Sequence, residues 1–232
     1  MRRRARRAPR RAPAPTVWTK VQRALIFTLI FLILVVVGTL ISAFMYPAFY
    51  ISSGQTDYYA GAGVELAMVV AVLLYLRFIA QPKKGYAREL GLGKGSFSLR
   101  NVGLGVLVFL IILVMEIIVG LISQVSGVAI DTNVSQLFLG APLWYLFGSA
   151  VVFPVCEEVL FRGLMVPRFG IVASALVFGI LHFSYDSTFG IEIIAAFIFA
   201  MIAGYVFKKT KSLYPSIIAH ILVNTTTTLL TL

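Results

Sequence analysis

The chain has 232 residues, 59% hydrophobic and 12% charged, with a mean hydropathy of +0.94 and a formal net charge of +11. Soluble domains are about 45–50% apolar and about 25% charged, so this composition excludes a soluble globular protein and puts most of the chain in lipid. The charge does not describe a nucleic-acid-binding face either. Residues 1–23 hold nine of the 20 Lys and Arg and no acid, which leaves +2 for the other 209 residues.

In chain order, residues 1–23 form a basic tail. Its first 15 residues, MRRRARRAPRRAPAP, hold too little apolar surface to build a core and read as disordered. Its arginines fit a topology signal that stays on the cytoplasmic side, with added attraction to anionic lipid. The apolar run behind it is too long for a signal-peptide core and lacks an A-x-A cleavage pattern.

A bilayer-spanning helix needs about 20 mostly apolar residues. Seven segments qualify: 24–46, 60–80, 101–123, 142–166, 169–184, 190–207 and 212–231. Strand-like alternation is missing, and lipid leaves no partner for open backbone groups. The expected architecture is therefore an all-α, polytopic transmembrane bundle. Residues 24–139 supply three N-terminal helices and residues 140–228 a second, more polar core.

The bases beyond the tail gather in alternate loops: Lys83, Lys84, Arg88, Lys94 and Arg100; then Arg168; then Lys208, Lys209 and Lys211. The other loops carry Asp57, Asp131 and Asp186 and no base. Seven helices with a cytoplasmic N-terminus satisfy this pattern. Tyr58, Trp144 and Tyr145 fall near helix ends, as interfacial aromatics do. The stretch Gly91 to Ser96 lacks P-loop spacing and reads as a flexible connector.

Ionisable residues inside a membrane are costly and mark function. Both histidines, His182 and His220, lie in expected spans, as do the adjacent Glu157 and Glu158, and Asn224 follows His220 by four. Measured from the turn near Arg168 at 1.5 Å per residue, Glu157 lies about 16 Å deep and His182 about 21 Å. From Ser212, His220 lies about 12 Å deep and Asn224 about 18 Å. Three helices thus bring these groups toward one layer, which is expected to open toward the cytoplasm.

Spacing separates their roles. Glu158 and Arg162 are four apart and can pair on one face. Glu157 is turned about 100° away and can face a cavity. Phe178 can pack beneath His182. A carboxylate and an imidazole gripping one water form a general-base pair for hydrolysis, and a second His with an Asn can stabilise an oxyanion. Glu157, His182 and His220 could instead hold zinc, although no H-E-x-x-H is present. A proton relay or small proton-coupled transporter would also use intramembrane Glu and His. The Glu158–Arg162 pair can also be structural, as can Thr225 to Thr228 by bonding back within their helix. Cys156 has no flanking base and reads as packing; as the one cysteine it cannot form an internal disulfide. Glu116 sits mid-helix and can line the cavity, while Glu65 and Glu192 are expected near helix ends, within reach of water.

Three motifs carry a resemblance. Glu157-Glu158-Val-Leu-Phe-Arg162 resembles the E-E-x-x-x-R motif of the CPBP family, the CAAX proteases and bacteriocin-processing enzymes. Phe178-Gly-Ile-Leu-His182 resembles its F-x-x-x-H motif, and His220-Ile-Leu-Val-Asn224 its H-x-x-x-N motif. The resemblance covers about residues 140–228. It implies an intramembrane endopeptidase of the type II CAAX prenyl protease class. Glu157 would activate water with His182 as its partner, His220 and Asn224 would hold the oxyanion, and Glu158 and Arg162 would support them. It implies a membrane-associated peptide or protein substrate and a prokaryotic plasma membrane location. Both metal-free and zinc-dependent chemistry have been described in the family, and the metal-free form is expected here. A non-catalytic scaffold or bacteriocin self-immunity protein on the same fold is the alternative.

Overall fold

The computed structural model describes residues 53–127, 138–182 and 190–231, together with isolated helical positions between 18 and 36. The basic tail and the first expected span otherwise lie outside the described residues. All the regular structure among the described residues is helical. Helix α1 runs Ser53–Tyr75 and continues as a π-helical turn, Leu76–Ala80. A short α2, Tyr86–Glu89, precedes α3, Leu99–Ser126. Helix α4 covers Leu143–Phe169 and α5 Ile171–Leu181. Helices α6, Ile191–Thr210, and α7, Tyr214–Thr231, complete the bundle. The ends differ from the sequence expectation by a few residues at most sites.

Four of these helices, Tyr58–Ala80, α3, α4 and α6, are long and apolar enough to cross a membrane. The chain is an integral membrane protein, and α3 shows why: Leu107, Leu110, Val114, Ile117, Leu121 and Ile122 all remain exposed on its outer face. Lipid is the solvent that suits such a surface. Helix α5 is short for a span because its last described turn ends at His182. Helix α7 has the length but carries His220, Asn224 and a run of threonines. Thr226, Thr228 and Thr231 return their hydroxyls to the carbonyls of Leu222, Asn224 and Thr227 at 2.8, 2.7 and 2.9 Å, so they need no outside partner.

The bundle has two chemically unlike ends. Of the 11 Lys and Arg beyond residue 23, ten sit where α1, α4 and α6 finish and α3, α5 and α7 begin. Arg162 alone lies within the bundle. At the basic end the Gly91–Ser96 segment is a fastened strap rather than the flexible connector expected. Leu213 N–H donates to Gly91 O at 3.0 Å, and Ser96 O accepts from Ser212 Oγ at 2.8 Å and Asn101 Nδ2 at 2.7 Å. Arg168 pairs with Glu89 at 2.9 Å and covers the Tyr75 ring. Local composition resembles a loose loop, but partners over 100 residues away satisfy its carbonyls. At the other end Tyr58 stacks near Tyr145, and Tyr59 near Trp144, tying the start of α1 to the start of α4.

Gly105 lets α3 approach α7. A Cβ there would lie 2.8 Å from both Ile218 Cβ and Pro215 O, whereas one at Gly103 would meet nothing within 4 Å. Gly105→Ala must push two packed helices apart, at about 1–3 kcal/mol. The expected result is a lower thermal unfolding midpoint in detergent for Gly105→Ala and none for Gly103→Ala.

Candidate active site

The central helix α4 is irregular around its acids. π-helical turns at Gly148–Val152 and Val159–Met165 flank the α-helical Phe153–Glu158. Pro154 contributes by removing a backbone donor, and the preceding π turn absorbs the misfit. The wider turns change the rotational phase of the helix, so Glu157 and Glu158 emerge on two different surroundings.

Glu158 is fully buried and Arg162 is 1% exposed. Arg162 reaches Glu158 Oε1 at 2.8 Å. The guanidinium is also sandwiched, with its carbon 4.4 Å from the Phe178 ring centroid and 5.0 Å from that of Phe199. Ring faces attract a cation without offering hydrogen-bond acceptors. That accounts for a guanidinium whose terminal nitrogens make close contacts but no well-angled hydrogen bonds.

His220, 4% exposed on α7, stands between the two glutamates. Its Nδ1 lies 3.0 Å from Glu158 Oε1 and its Nε2 lies 3.4 Å from Glu157 Oε2. A carboxylate only accepts, so the Glu158 contact puts a proton on Nδ1 and aims Nε2 at Glu157. Phe199 packs 4.8 Å from the ring. Asn224 lies one turn further along α7 and donates Nδ2–H to Ser149 O at 3.0 Å. This fixes its amide while leaving a second N–H. His182 closes α5, with Nδ1 2.8 Å from Phe178 O and its ring centroid 4.6 Å from that of Phe178. Phe178 therefore orients His182 on one side and Arg162 on the other.

Glu157, His182, His220 and Asn224 line one cavity of about 490 Å³. The structure thus brings the six motif residues into one connected cluster. The cavity also runs past Glu116, Ser123, Phe138, Glu192 and Thr231. These lie toward the end that lacks Lys and Arg, so the cavity extends away from the basic end. The expected cytoplasmic opening does not follow. Depth along a helix is legible in sequence, whereas the direction of opening depends on helix splay.

Glu65 is the group that sequence reasoning misplaced. It lies mid-helix in α1, not near an end, and lines the same cavity as Glu157. Its signal was available: an acid in the middle of an apolar span, about 22 Å from Ala80 at the rise of an α-helix. Glu116 lines the cavity from α3 as expected, and Glu192 does so from the first turn of α6.

Residues 139–226 match the family model described as type II CAAX prenyl endopeptidase Rce1-like. This segment is similar to Rce1-like domains. It begins just before α4 and ends within α7, and it contains Glu157, Glu158, Arg162, His182, His220 and Asn224. Glu65 and the rest of α1 to α3 lie outside it, so the cavity is shared between the matched segment and the helices before it. No curated protein and no solved structure matches the chain significantly.

Zinc held by Glu157, His182 and His220 is the alternative to metal-free chemistry. Among the described residues no three His, Cys, Asp or Glu are grouped to hold a metal ion.

Proposed function

We propose that the chain is an intramembrane endopeptidase in which Glu157 activates water without a metal. The observation that carries this reading is the arrangement around His220. A buried, cation-neutralised Glu158 fixes the ring through Nδ1 and leaves Nε2 beside Glu157 on the cavity wall. The Rce1-like match supports peptidase chemistry at the level of the family.

In this mechanism Glu157 takes a proton from water as the oxygen attacks the scissile carbonyl carbon, with His182 as the partner that positions the water. The carbonyl oxygen becomes an oxyanion facing the second N–H of Asn224 and His220, which donates from Nε2 when the ring carries a proton there as well as on Nδ1. Collapse of the intermediate breaks the C–N bond, and the proton passes to the leaving amine. Glu158 and Arg162 hold His220 and Phe178 in place and touch no reacting atom.

With the basic end on the cytoplasmic side, the cavity reaches toward the opposite face, and a membrane-associated substrate enters from there. Among the described residues four carboxyls line the cavity, those of Glu65, Glu116, Glu157 and Glu192, and no Lys or Arg. That lining disfavours a substrate whose free C-terminal carboxylate must enter with the scissile bond and favours an internal segment.

Membrane-proteome terminus mapping tests the reading in cells expressing the chain or Glu157→Gln at matched levels. New protein ends found only with the unaltered chain are expected, and they name the substrate. Indistinguishable ends, with both proteins folded and abundant, would transfer the weight to a non-catalytic scaffold or immunity protein.

A further inference from the structure

The basic end holds a second cavity, separate from the one that Glu157 lines. It measures about 500 Å³, within the roughly 300–1,000 Å³ of ligand pockets. Two membrane spans end around it: Val166 and Pro167 lie near the end of α4, and Phe207 and Lys208 near the end of α6. The cavity therefore sits at headgroup depth, where the Phe97 ring packs on Tyr214 at 5.1 Å. Val166 and Phe207 give it a buried apolar floor, and the exposed Arg88, Lys208 and Lys211 rim it. The acid in its lining, Glu89, is already paired with Arg168 at 2.9 Å. Among the described residues no ion pair engages the three cations of the rim. Lys209 lies over the Tyr205 ring, outside the lining. Lys211 is held in a strained conformation: its φ of +57° is left-handed, and its N–H closes α6 by donating to Phe207 O at 2.8 Å. Glycine is the usual residue there, so lysine costs backbone energy that a side-chain role would offset. Gly91 lets the strap pass close beside it, since a Cβ there would fall 2.9 Å from Phe207 Cε2 and 3.0 Å from Lys211 O.

We propose that this cavity binds the phosphate of an anionic phospholipid headgroup, with Arg88, Lys208 and Lys211 as its counter-charges. Bases gathered between spans at this depth attract anionic headgroups. The three come from α2, from α6 and from the turn before α7, so an occupant ties together the elements on either side of the strap. Free phosphate shares the charge, but the apolar floor of Val166 and Phe207 suits the glycerol and first acyl carbons that a lipid alone brings. The site does not depend on the endopeptidase reading, and no bond is made or broken in it.

The test uses the full chain, purified in mild detergent and stripped of lipid, with phosphatidylglycerol, phosphatidylcholine or inorganic phosphate added back. The thermal unfolding midpoint should rise with phosphatidylglycerol and stay in place with the other two. The Arg-rich tail also attracts anionic lipid, so two triple variants of equal charge are compared. Arg88→Gln with Lys208→Gln and Lys211→Gln should weaken the apparent affinity for phosphatidylglycerol by about 100-fold, a factor of about five per base. Lys83→Gln with Lys84→Gln and Lys209→Gln should leave it close to that of the unaltered chain. Lys211→Gly should raise the lipid-free midpoint by relieving the backbone and yet reduce the rise that lipid brings, which keeps the site testable if the first triple variant folds poorly. The same affinity in both triple variants would assign the binding to net charge and the tail, and would overturn the site. So would an unaltered chain whose midpoint ignores phosphatidylglycerol. A rise with inorganic phosphate as large as that with phosphatidylglycerol would make the ligand a free anion and overturn the lipid.

Discussion

Arg162→Ala is expected to destroy most of the folded protein, not only its activity. The guanidinium is 1% exposed and its partner Glu158 is fully buried. Removing one member of a buried ion pair leaves an uncompensated charge, at about 3–5 kcal/mol. The two ring contacts, to Phe178 at 4.4 Å and Phe199 at 5.0 Å, would vanish as well. A desolvated cation–π contact contributes about 2 kcal/mol. Those rings also support His182 and His220, so the damage spreads to the cavity wall. Whole domains are stable by only about 5–15 kcal/mol, which makes a loss of this size close to the total. The measurement is the yield of monodisperse protein in mild detergent, with its thermal unfolding midpoint. Arg162→Lys should fall between the two extremes, since it keeps the charge but loses the planar group that stacks between the rings. A normal yield and midpoint for Arg162→Ala would show that Glu158 finds another counter-charge and that the pair is dispensable for folding.

Arg162 also shows what a single sequence reveals about a membrane protein. Lipid makes every buried charge conspicuous, and four-residue spacing pairs Arg162 with Glu158 before any coordinates are considered. The same reasoning put His182, His220 and Asn224 near one depth, because helix rise converts residue number into ångströms. Four of the expected spans were legible for a similar reason, as apolar length is a direct image of bilayer thickness. Three features were not legible. Glu65 shares a cavity wall with Glu157 across 92 residues of chain, and that placement depends on the rotational phase of α1 against α4. The π turns that flank Glu157 shift that phase in α4, and the α-helical period of a sequence pattern does not encode them. The run of the cavity toward the base-free end depends on how α3, α6 and α7 diverge beyond His220. Local composition also misjudged the Gly91–Ser96 strap, whose order comes from Ser212 and Leu213 at the start of α7.

Glu157→Gln is expected to abolish cleavage while leaving the fold intact, which separates it from Arg162→Ala. The side chain is 16% exposed, on the cavity wall, and takes no part in the Arg162 ion pair. Glutamine matches its size and can still hydrogen-bond to His220, so the unfolding midpoint should stay near that of the unaltered chain. What glutamine lacks is a basic oxygen. A positioned general base contributes about 10²–10⁴-fold, and when it also relays the proton to the leaving amine both halves of the reaction fail together. His182→Ala should approach the same loss. His220→Ala and Asn224→Ala should each cost about 10²–10³-fold, the usual effect of one oxyanion donor. His220→Ala should in addition lower the midpoint, because it strips Glu158 Oε1 of a partner at 3.0 Å. The readout is the rate at which purified protein in lipid vesicles generates the new terminus on a substrate named by terminus mapping. Groups that act on one water as a unit are not additive, so Glu157→Gln combined with His182→Ala should be no slower than Glu157→Gln alone. If the double variant is slower by the product of the two single losses, Glu157 and His182 act on separate steps and the shared-water arrangement is wrong. If Glu157→Gln alone cleaves at full rate, the base lies elsewhere, and Glu65 becomes the carboxyl in the cavity with the geometry to replace it.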